Sequence, residues 1–521
     1  MFFVFTTLFY IDISYTVVYK VHNTENINAE RKKAMSENNE LRIYDSIKPL
    51  DAPALIAPVL SYDGEDILVK GALSYFIRDF EKTYGLKIDI CGFSRGGVHL
   101  LRRKPGEIKL SRPSVFEECA AENYRIVYED GVLTLEFIGI KGLNHALSAL
   151  LSRGSAADGQ LLWDCAEIID GPQCKYRSLL VDLGKNFHPV EYLFEYVDLC
   201  FKNNLSHFQV HFNDNVCYCL PSKLYPELAT KDMHYTFDDI RRLNKYALRR
   251  GVSLVPEIDI PGHCKAFQNA YPGLFGDNGV ISMHADSMAA VRALIGEISD
   301  MFPYSEYFHI GGDEADILKW TECEKCLEYF ETVDKAAVDS FRVSGDRRAL
   351  AERMLAGFVT ECADAVKENG KKPIVWEGFD KSVNDYVSKD IIVMSWENYY
   401  QSTYELLDAG FDIINCAWNP LYIVTPKKMW SPGEILDWNI YKWGAIHPDS
   451  PYCNKTFEID RSYKKRILGA QLHAWGDRIL RDFPDPHDGH EEEKNNVAQR
   501  LPAFSVNVWS TPEQKEAFLN K

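Results

Sequence analysis

No stretch of this sequence is apolar for the roughly 20 residues that a helix needs to cross a bilayer, so no membrane partner is expected. Basic charge is scarce beside acidic charge. There are 58 Lys and Arg against 76 Asp and Glu, a net charge of −18. Phosphate binding needs the opposite balance, so no nucleic-acid partner is expected either. A disulfide framework is missing as well. The 13 cysteines are odd in number and irregular in spacing, which reads as reduced thiols. Cys323 and Cys326 invite a zinc reading, but no second pair at a suitable spacing follows, so no metal and no cofactor is expected. Short-period repeats and low-complexity tracts are absent too.

The chain is rich in core-forming residues. It has 521 residues, 46% of them hydrophobic and 13% aromatic, which suits two domains rather than one. Residues 1–40 read as poorly structured. Phe2 to Tyr10 is apolar, but no Lys or Arg precedes it and Asp12 interrupts it, unlike a secretory leader. The reading is a working start at Met35 and a cytoplasmic protein, with secretion as the alternative.

Residues 41–165 read as a small α+β domain. Tyr124 to Ile140 is a hairpin turning at Asp130-Gly131, followed by a helix from Leu143 to Ser152. Over residues 170–515 short apolar runs alternate with helical stretches such as Thr236–Arg250 and Asp286–Met301. Eight strands are expected: Tyr176–Leu183, His207–Asp214, Ser253–Ile260, Tyr307–Glu314, Lys372–Phe379, Ile391–Asn398, Asp412–Trp418 and Ile467–Asp477. The fold class is α/β: a (β/α)8 TIM barrel preceded by the small α+β domain.

Each expected strand turns polar at its C-terminal end, where barrel active sites lie. Those ends carry Asp182, His211, Asp214, Glu257, Asp259, His309, Asp313, Glu314, Trp376, Glu377, Trp396, Glu397, Trp418, Trp475 and Asp477. Carboxylates interleaved with tryptophans describe a cleft for a polar ring, since indole faces pack on sugar C–H groups while carboxylates accept hydroxyl protons. The sharpest motif is His309-Ile-Gly-Gly-Asp313-Glu314. Its glycines permit close approach or an unusual turn. Its adjacent carboxylates cannot both ionise cheaply, so one pKa should rise, as a general acid requires. Neighbours in sequence are poorly placed to flank a glycosidic bond from opposite sides. They suit substrate assistance instead, in which a 2-acetamido oxygen of the sugar replaces the enzyme nucleophile.

HIGGDE resembles the signature of the family 20 glycoside hydrolases, the β-N-acetylhexosaminidases. The segments around Tyr176-Arg177, Asn203 to Asp214, Val255 to His263, Trp320 to Cys326, Trp376-Glu377, Ser395-Trp396, Ala474-Trp475-Gly476 and Arg500 to Trp509 resemble the family as well. The resemblance implies an exo-acting retaining enzyme that removes terminal β-linked GlcNAc or GalNAc from a glycan, with no stated oligomeric form. It implies Glu314 as general acid and then base, and Asp313 as the group that orients the acetamide and stabilises an oxazolinium ion. Tyr422 would donate to the acetamide oxygen. Asp214 and His263 would support Glu314. Trp376, Trp396 and Trp475 would wall and floor the sugar, and Arg177 would fork onto its hydroxyls.

Two positions depart from the family pattern. Val424 stands where a carboxylate is usual, and Asp477 where Glu is usual. Both are expected near the outer hydroxyls of the sugar, so weak discrimination between GlcNAc and GalNAc is expected. Residues 426–464 read as a folded lid or subsite, with Trp430, Trp438 and Trp443 in core or lid packing. His309 reads more readily as a packed strand residue than as a catalyst. Two other classes compete: a sugar-binding relative without activity, and a barrel metallohydrolase using His211, Asp214, Asp259, His263 and Asp313.

Overall fold

The computed structural model describes residues 41–92 and 94–520. The expectations for residues 1–40 and for Met35 lie outside the described residues. No described helix is long and apolar enough to cross a membrane.

The first region is an eight-stranded mixed sheet. Its strands are β1 (Ser46–Ile56), β2 (Val59–Ser61), β3 (Asp89–Cys91), β4 (Gly97–Arg102), β5 (Tyr124–Glu129), β6 (Val132–Phe137), β7 (Ser155–Ala157) and β8 (Gln160–Asp170). They run in the order β1-β8-β5-β6-β4-β2-β3, with β7 beside β8. The expected hairpin is β5–β6, and its two turn residues Asp130 and Gly131 have φ of 48° and 85°. A two-residue turn needs those left-handed angles to match the twist of its strands. Helices Ile67–Tyr84 and Ile140–Arg153 supply the apolar side chains of this region's core, among them Phe76, Phe80, Leu143 and Leu147. β8 carries the sheet to Asp170, past the expected limit at residue 165.

The barrel strands are β9 (Tyr176–Asp182), β10 (His207–His211), β11 (Ser253–Ile260), β12 (Tyr307–Gly311), β13 (Lys372–Trp376), β14 (Ile392–Ser395), β15 (Asp412–Asn415) and, after four short strands, β20 (Ile467–Ala474). All pair in parallel in chain order. The circle closes through β15–β20 and β20–β9, with Ile413 opposite Ile467 and Gly469 opposite Tyr176. These strands are buried on both faces, which explains their near-continuous apolar text. Tyr176, Leu180, Val255, Tyr307, Ile374, Met394, Ile414 and Leu468 form a separate buried cluster, each contributing about 1.5–3 kcal/mol by burial. Helices between strands pack outside. Phe237–Arg249, for example, starts at a capping box between Thr236 and Asp239.

Most expected strands overran the ladder by one to three residues at their C-terminal ends, where the chain leaves the sheet to form the site. Between β15 and β20 the chain does not return by a simple helix. It forms the hairpin β16 (Tyr422–Val424) and β17 (Lys428–Met429), the helix Pro432–Asp437, and the hairpin β18 (Lys442–Gly444) and β19 (Thr456–Glu458). β16 lies parallel to the end of β20, Tyr422 opposite His473 and Ile423 opposite Ala474. Trp438 and Trp443 are buried here, and Trp430 meets Trp418 edge to face at 5.6 Å.

Candidate active site

The strand ends enclose a pocket of about 140 Å³, lined by Lys185, Asp259, His263, Asp313, Glu314, Trp376, Trp396, Trp418, Tyr422, Val424, Trp475 and Asp477. A larger groove of about 660 Å³ runs along helices Phe237–Arg249 and Ala285–Met301, but none of the strand-end acids or tryptophans lines it. We take the smaller pocket as the site because reactive groups converge there.

The acid pair is held by unusual backbone. Gly311 and Gly312 have φ of 73° and 108°, and a Cβ on Gly311 would lie 1.9 Å from Asp259 Oδ1. No other residue fits there. The turn leaves Glu314 at φ 47°, and His263, at φ 43°, is also left-handed. A non-glycine residue pays for that conformation, and strain of this kind concentrates at functional sites. These two residues face each other: His263 Nε2 stands 3.4 Å from Glu314 Oε2. On its other side His263 Nδ1 is 3.1 Å from Asp214 Oδ2, which Lys185 Nζ approaches to 2.9 Å.

The charges divide unequally between the two acids. Burial, then the charge of Asp259, pushes the Asp313 carboxyl well above the usual range. Its Oδ1 is buried with no hydrogen-bond partner. Glu314 is half exposed, and the hydrogen bond from His263 holds its carboxyl below the ordinary value. The expected rise therefore falls on Asp313 and not on Glu314. Burial opposes charging His263, yet Asp259, Asp214 and Glu314 outweigh it and hold the imidazole well above its ordinary pKa. The two shifts together favour the proton on His263 over Glu314.

The walls are aromatic. Trp376 is buried and its indole N–H donates to Glu257 at 2.8 Å. Trp396 donates to the Glu377 carbonyl at 3.0 Å. Tyr422 is sandwiched between Trp418 and His473, each 4.6 Å away. Trp475 has a buried Nε1 without a partner and carries Lys185 Nζ 4.3 Å above its ring. Of the ten residues singled out for catalysis or binding, nine gather here. Asp214 stands just behind the wall and the other eight line it.

Arg177 is the exception and is a correction. It occupies the N-terminal end of β9, on the opposite side of the barrel, and is fully buried. Its guanidinium pairs with Glu122, donates to the carbonyls of Cys174 and Asn204, and lies 5.3 Å from the Trp509 ring. Each of its three nitrogens has a protein partner, and none of it reaches the pocket. The cation in the pocket is Lys185, three residues past the end of β9. The rule that barrel sites lie at C-terminal strand ends would have found it. His309 is packed: its Nδ1 accepts the Gly311 N–H at 3.0 Å, and its ring is 4.5 Å from Trp376. Tyr400, which the sequence did not single out, accepts the Glu314 N–H on its hydroxyl at 3.1 Å.

Two groups are close enough to hold a metal ion, His211 with Glu257 and Asp259, and Asp259 with His263 and Asp313. The histidines do not suit it. His211 lies 3.1 Å from Glu257 and 3.4 Å from Asp214, one carboxylate on each ring nitrogen, as His263 lies between Asp214 and Glu314. A histidine flanked this way holds both protons and offers no lone pair to a metal.

The sequence profile described as "Glycosyl hydrolase family 20, catalytic domain" matches residues 174–511. This chain belongs to glycosyl hydrolase family 20. It is 24% identical over 385 residues to the β-hexosaminidase subunit beta of Entamoeba histolytica, covering 68% of this chain and 63% of that protein. It is 26% identical over 373 residues to the β-hexosaminidase of Vibrio furnissii, covering 64% of this chain and 58% of that one. The chain therefore spans less than two thirds of these relatives. The fold is similar to that of the exo-β-N-acetylglucosaminidase of Vibrio harveyi, solved with N-acetylglucosamine, at a TM-score of 0.68 and 19% identity over 91% of this chain and 74% of that one.

Proposed function

We propose that this chain is an exo-acting retaining β-N-acetylhexosaminidase that cleaves terminal β-linked GlcNAc or GalNAc by substrate assistance. The observation that carries the reading is the asymmetry of the acid pair. Asp313 is buried among tryptophans with an unpartnered oxygen, while Glu314 is half exposed and shares a proton donor with Asp214. In the proposed step Glu314, supplied through His263, protonates the glycosidic oxygen as the C1–O bond breaks. The acetamide oxygen of the sugar closes onto C1. Asp313 accepts the acetamide N–H, and Tyr422 donates to its oxygen. Water then attacks C1 and returns its proton to Glu314, so the product keeps the β configuration. The small aromatic pocket favours one terminal residue over an internal one. A thiazoline analogue of GlcNAc should inhibit strongly because it mimics the cyclic intermediate. An α-anomer as first product by NMR would overturn the mechanism.

For specificity, Val424 and Asp477 line the same pocket as Lys185. An apolar Val in place of an acceptor supports weak discrimination at C4, where GlcNAc and GalNAc differ. A preference above about a hundredfold that Val424→Asp leaves unchanged would sink this. We also propose a cytoplasmic setting, supported by cysteines that are odd in number, 13, and irregular in spacing, a poor basis for a disulfide framework. Recovery of the active protein from the secreted fraction would refute it.

A further inference from the structure

Next to the sugar pocket, on the outer side of Glu314, stands a pair of tyrosines that the reading above does not use. Neither Tyr399 nor Tyr400 lines the pocket, yet the Tyr400 hydroxyl touches the backbone of the acid itself. A proton donor borders the leaving oxygen. Whatever flanks the donor away from the tryptophan walls therefore flanks the group that departs.

The pair is rigidly built. Glu377, buried at the end of β13, accepts the backbone N–H groups of Trp396, Asn398, Tyr399 and Tyr400 at 3.2, 2.9, 2.6 and 3.3 Å. One carboxylate thus gathers the whole turn, helped by Asn398 at φ 54°. From the other side Glu397 accepts the N–H groups of Ile446 and His447 at 3.0 and 3.2 Å, tying the turn to the segment between β15 and β20. His447 comes to lie 4.7 Å from the Tyr399 ring, and the Tyr400 ring meets Tyr399 nearly edge-on at 4.8 Å and 67°. Tyr399 nevertheless remains 42% exposed. An exposed aromatic side chain whose backbone is held by this many hydrogen bonds, beside the acid, is built as a platform.

We propose that Tyr399 and Tyr400, with His447, form the leaving-group subsite, and that the group they receive is a second pyranose of an oligosaccharide. The C–H face of that sugar stacks on Tyr399, and its hydroxyls meet the Tyr400 hydroxyl and His447. The Tyr400 hydroxyl accepts from Glu314 and still has its own proton to donate. Burial and then Asp313 hold that proton on, since both raise the phenol pKa.

This inference rests on the hexosaminidase reading, and the test separates the two. The chain, its Tyr399→Ala variant and its Tyr400→Phe variant are compared on N,N′-diacetylchitobiose, which carries a sugar leaving group, and on the β-fluoride of GlcNAc, which carries none. The readout is the ratio of kcat/KM for the disaccharide to that for the fluoride. Tyr399→Ala should lower this ratio about tenfold, and Tyr400→Phe about threefold, the scale of one stacked ring and one hydrogen bond. An unchanged ratio in Tyr399→Ala, whether both activities fall or neither does, overturns the subsite. If the chain hydrolyses neither compound, the hexosaminidase reading has failed. The subsite is then read by titrating the chain and Tyr399→Ala with S-linked thiochitobiose and with free GlcNAc. A loss of about tenfold for the disaccharide alone supports it, and equal affinities for the two proteins overturn it.

Discussion

The two ends of the barrel carry clusters made of the same chemical parts. At the N-terminal end Arg177 meets Glu122, which also accepts from His145 at 2.9 Å, and each nitrogen of the guanidinium has a protein acceptor. At the C-terminal end Lys185, His263, Asp214, Asp313 and Glu314 form a comparable set of cations and carboxylates. There, buried Asp259 Oδ1, Asp313 Oδ1 and Trp475 Nε1 have no partner, and two residues hold left-handed backbone. A satisfied buried cluster joins pieces of the fold. Glu122 belongs to the first region, Arg177 to β9, and the Trp509 ring to the helix Pro486–Trp509 near the C-terminus. Unpartnered buried groups cost free energy, and at an open strand end a ligand can supply their partners.

The comparison makes opposite demands on the two ends. The largest effect belongs to Glu314→Gln, which should lower kcat on chitobiose by about 10²- to 10⁴-fold and leave the melting temperature where it was. Near-normal turnover by that variant would remove Glu314 from the chemistry. Arg177→Met should do the reverse. By removing the guanidinium from buried Glu122, which keeps only His145, it should cost about 3–5 kcal/mol of stability in urea unfolding, while the folded fraction keeps its affinity for the thiazoline. A loss of affinity at unchanged stability would return Arg177 to the sugar. Lys185→Met should lower kcat/KM about ten- to hundredfold through KM, since it removes a charged donor from the pocket. If KM stays put, Lys185 only neutralises Asp214.

The smallest expected effect is a shift in pH dependence. In the proposed mechanism Asp313 has to be ionised to accept the acetamide N–H and face a cation. Its pKa is raised, so it gains a proton as pH falls through a value above the ordinary Asp range, and activity falls with it. The acid limb of kcat/KM should therefore lie above the ordinary Asp range. An acid limb at the ordinary carboxylate value would mean that the free-site pKa of Asp313 does not govern the reaction.

The sequence alone determined the eight strands, their closure into a barrel and the polar identity of their ends. Parallel strands buried on both faces leave a plain apolar signature, and side chains just past the last ladder residue are obliged to face the open end. His-Ile-Gly-Gly-Asp-Glu was legible for the same local reason: Gly311 has no room for a Cβ, and Gly312 holds a φ of 108° that other residues rarely adopt. What only the tertiary structure decided are relations between segments far apart in the chain. The reach of Arg177 down to Glu122, 55 residues earlier, moved it from the site to the fold. The pairing of Tyr422 with His473 set the sandwich that holds its ring. The raised pKa went to Asp313 because Asp259 and burial surround it, whereas His263 comes 3.4 Å from Glu314. Charge and burial depend on distance in space, and adjacency in sequence gives the two acids the same distance to each other but not to anything else.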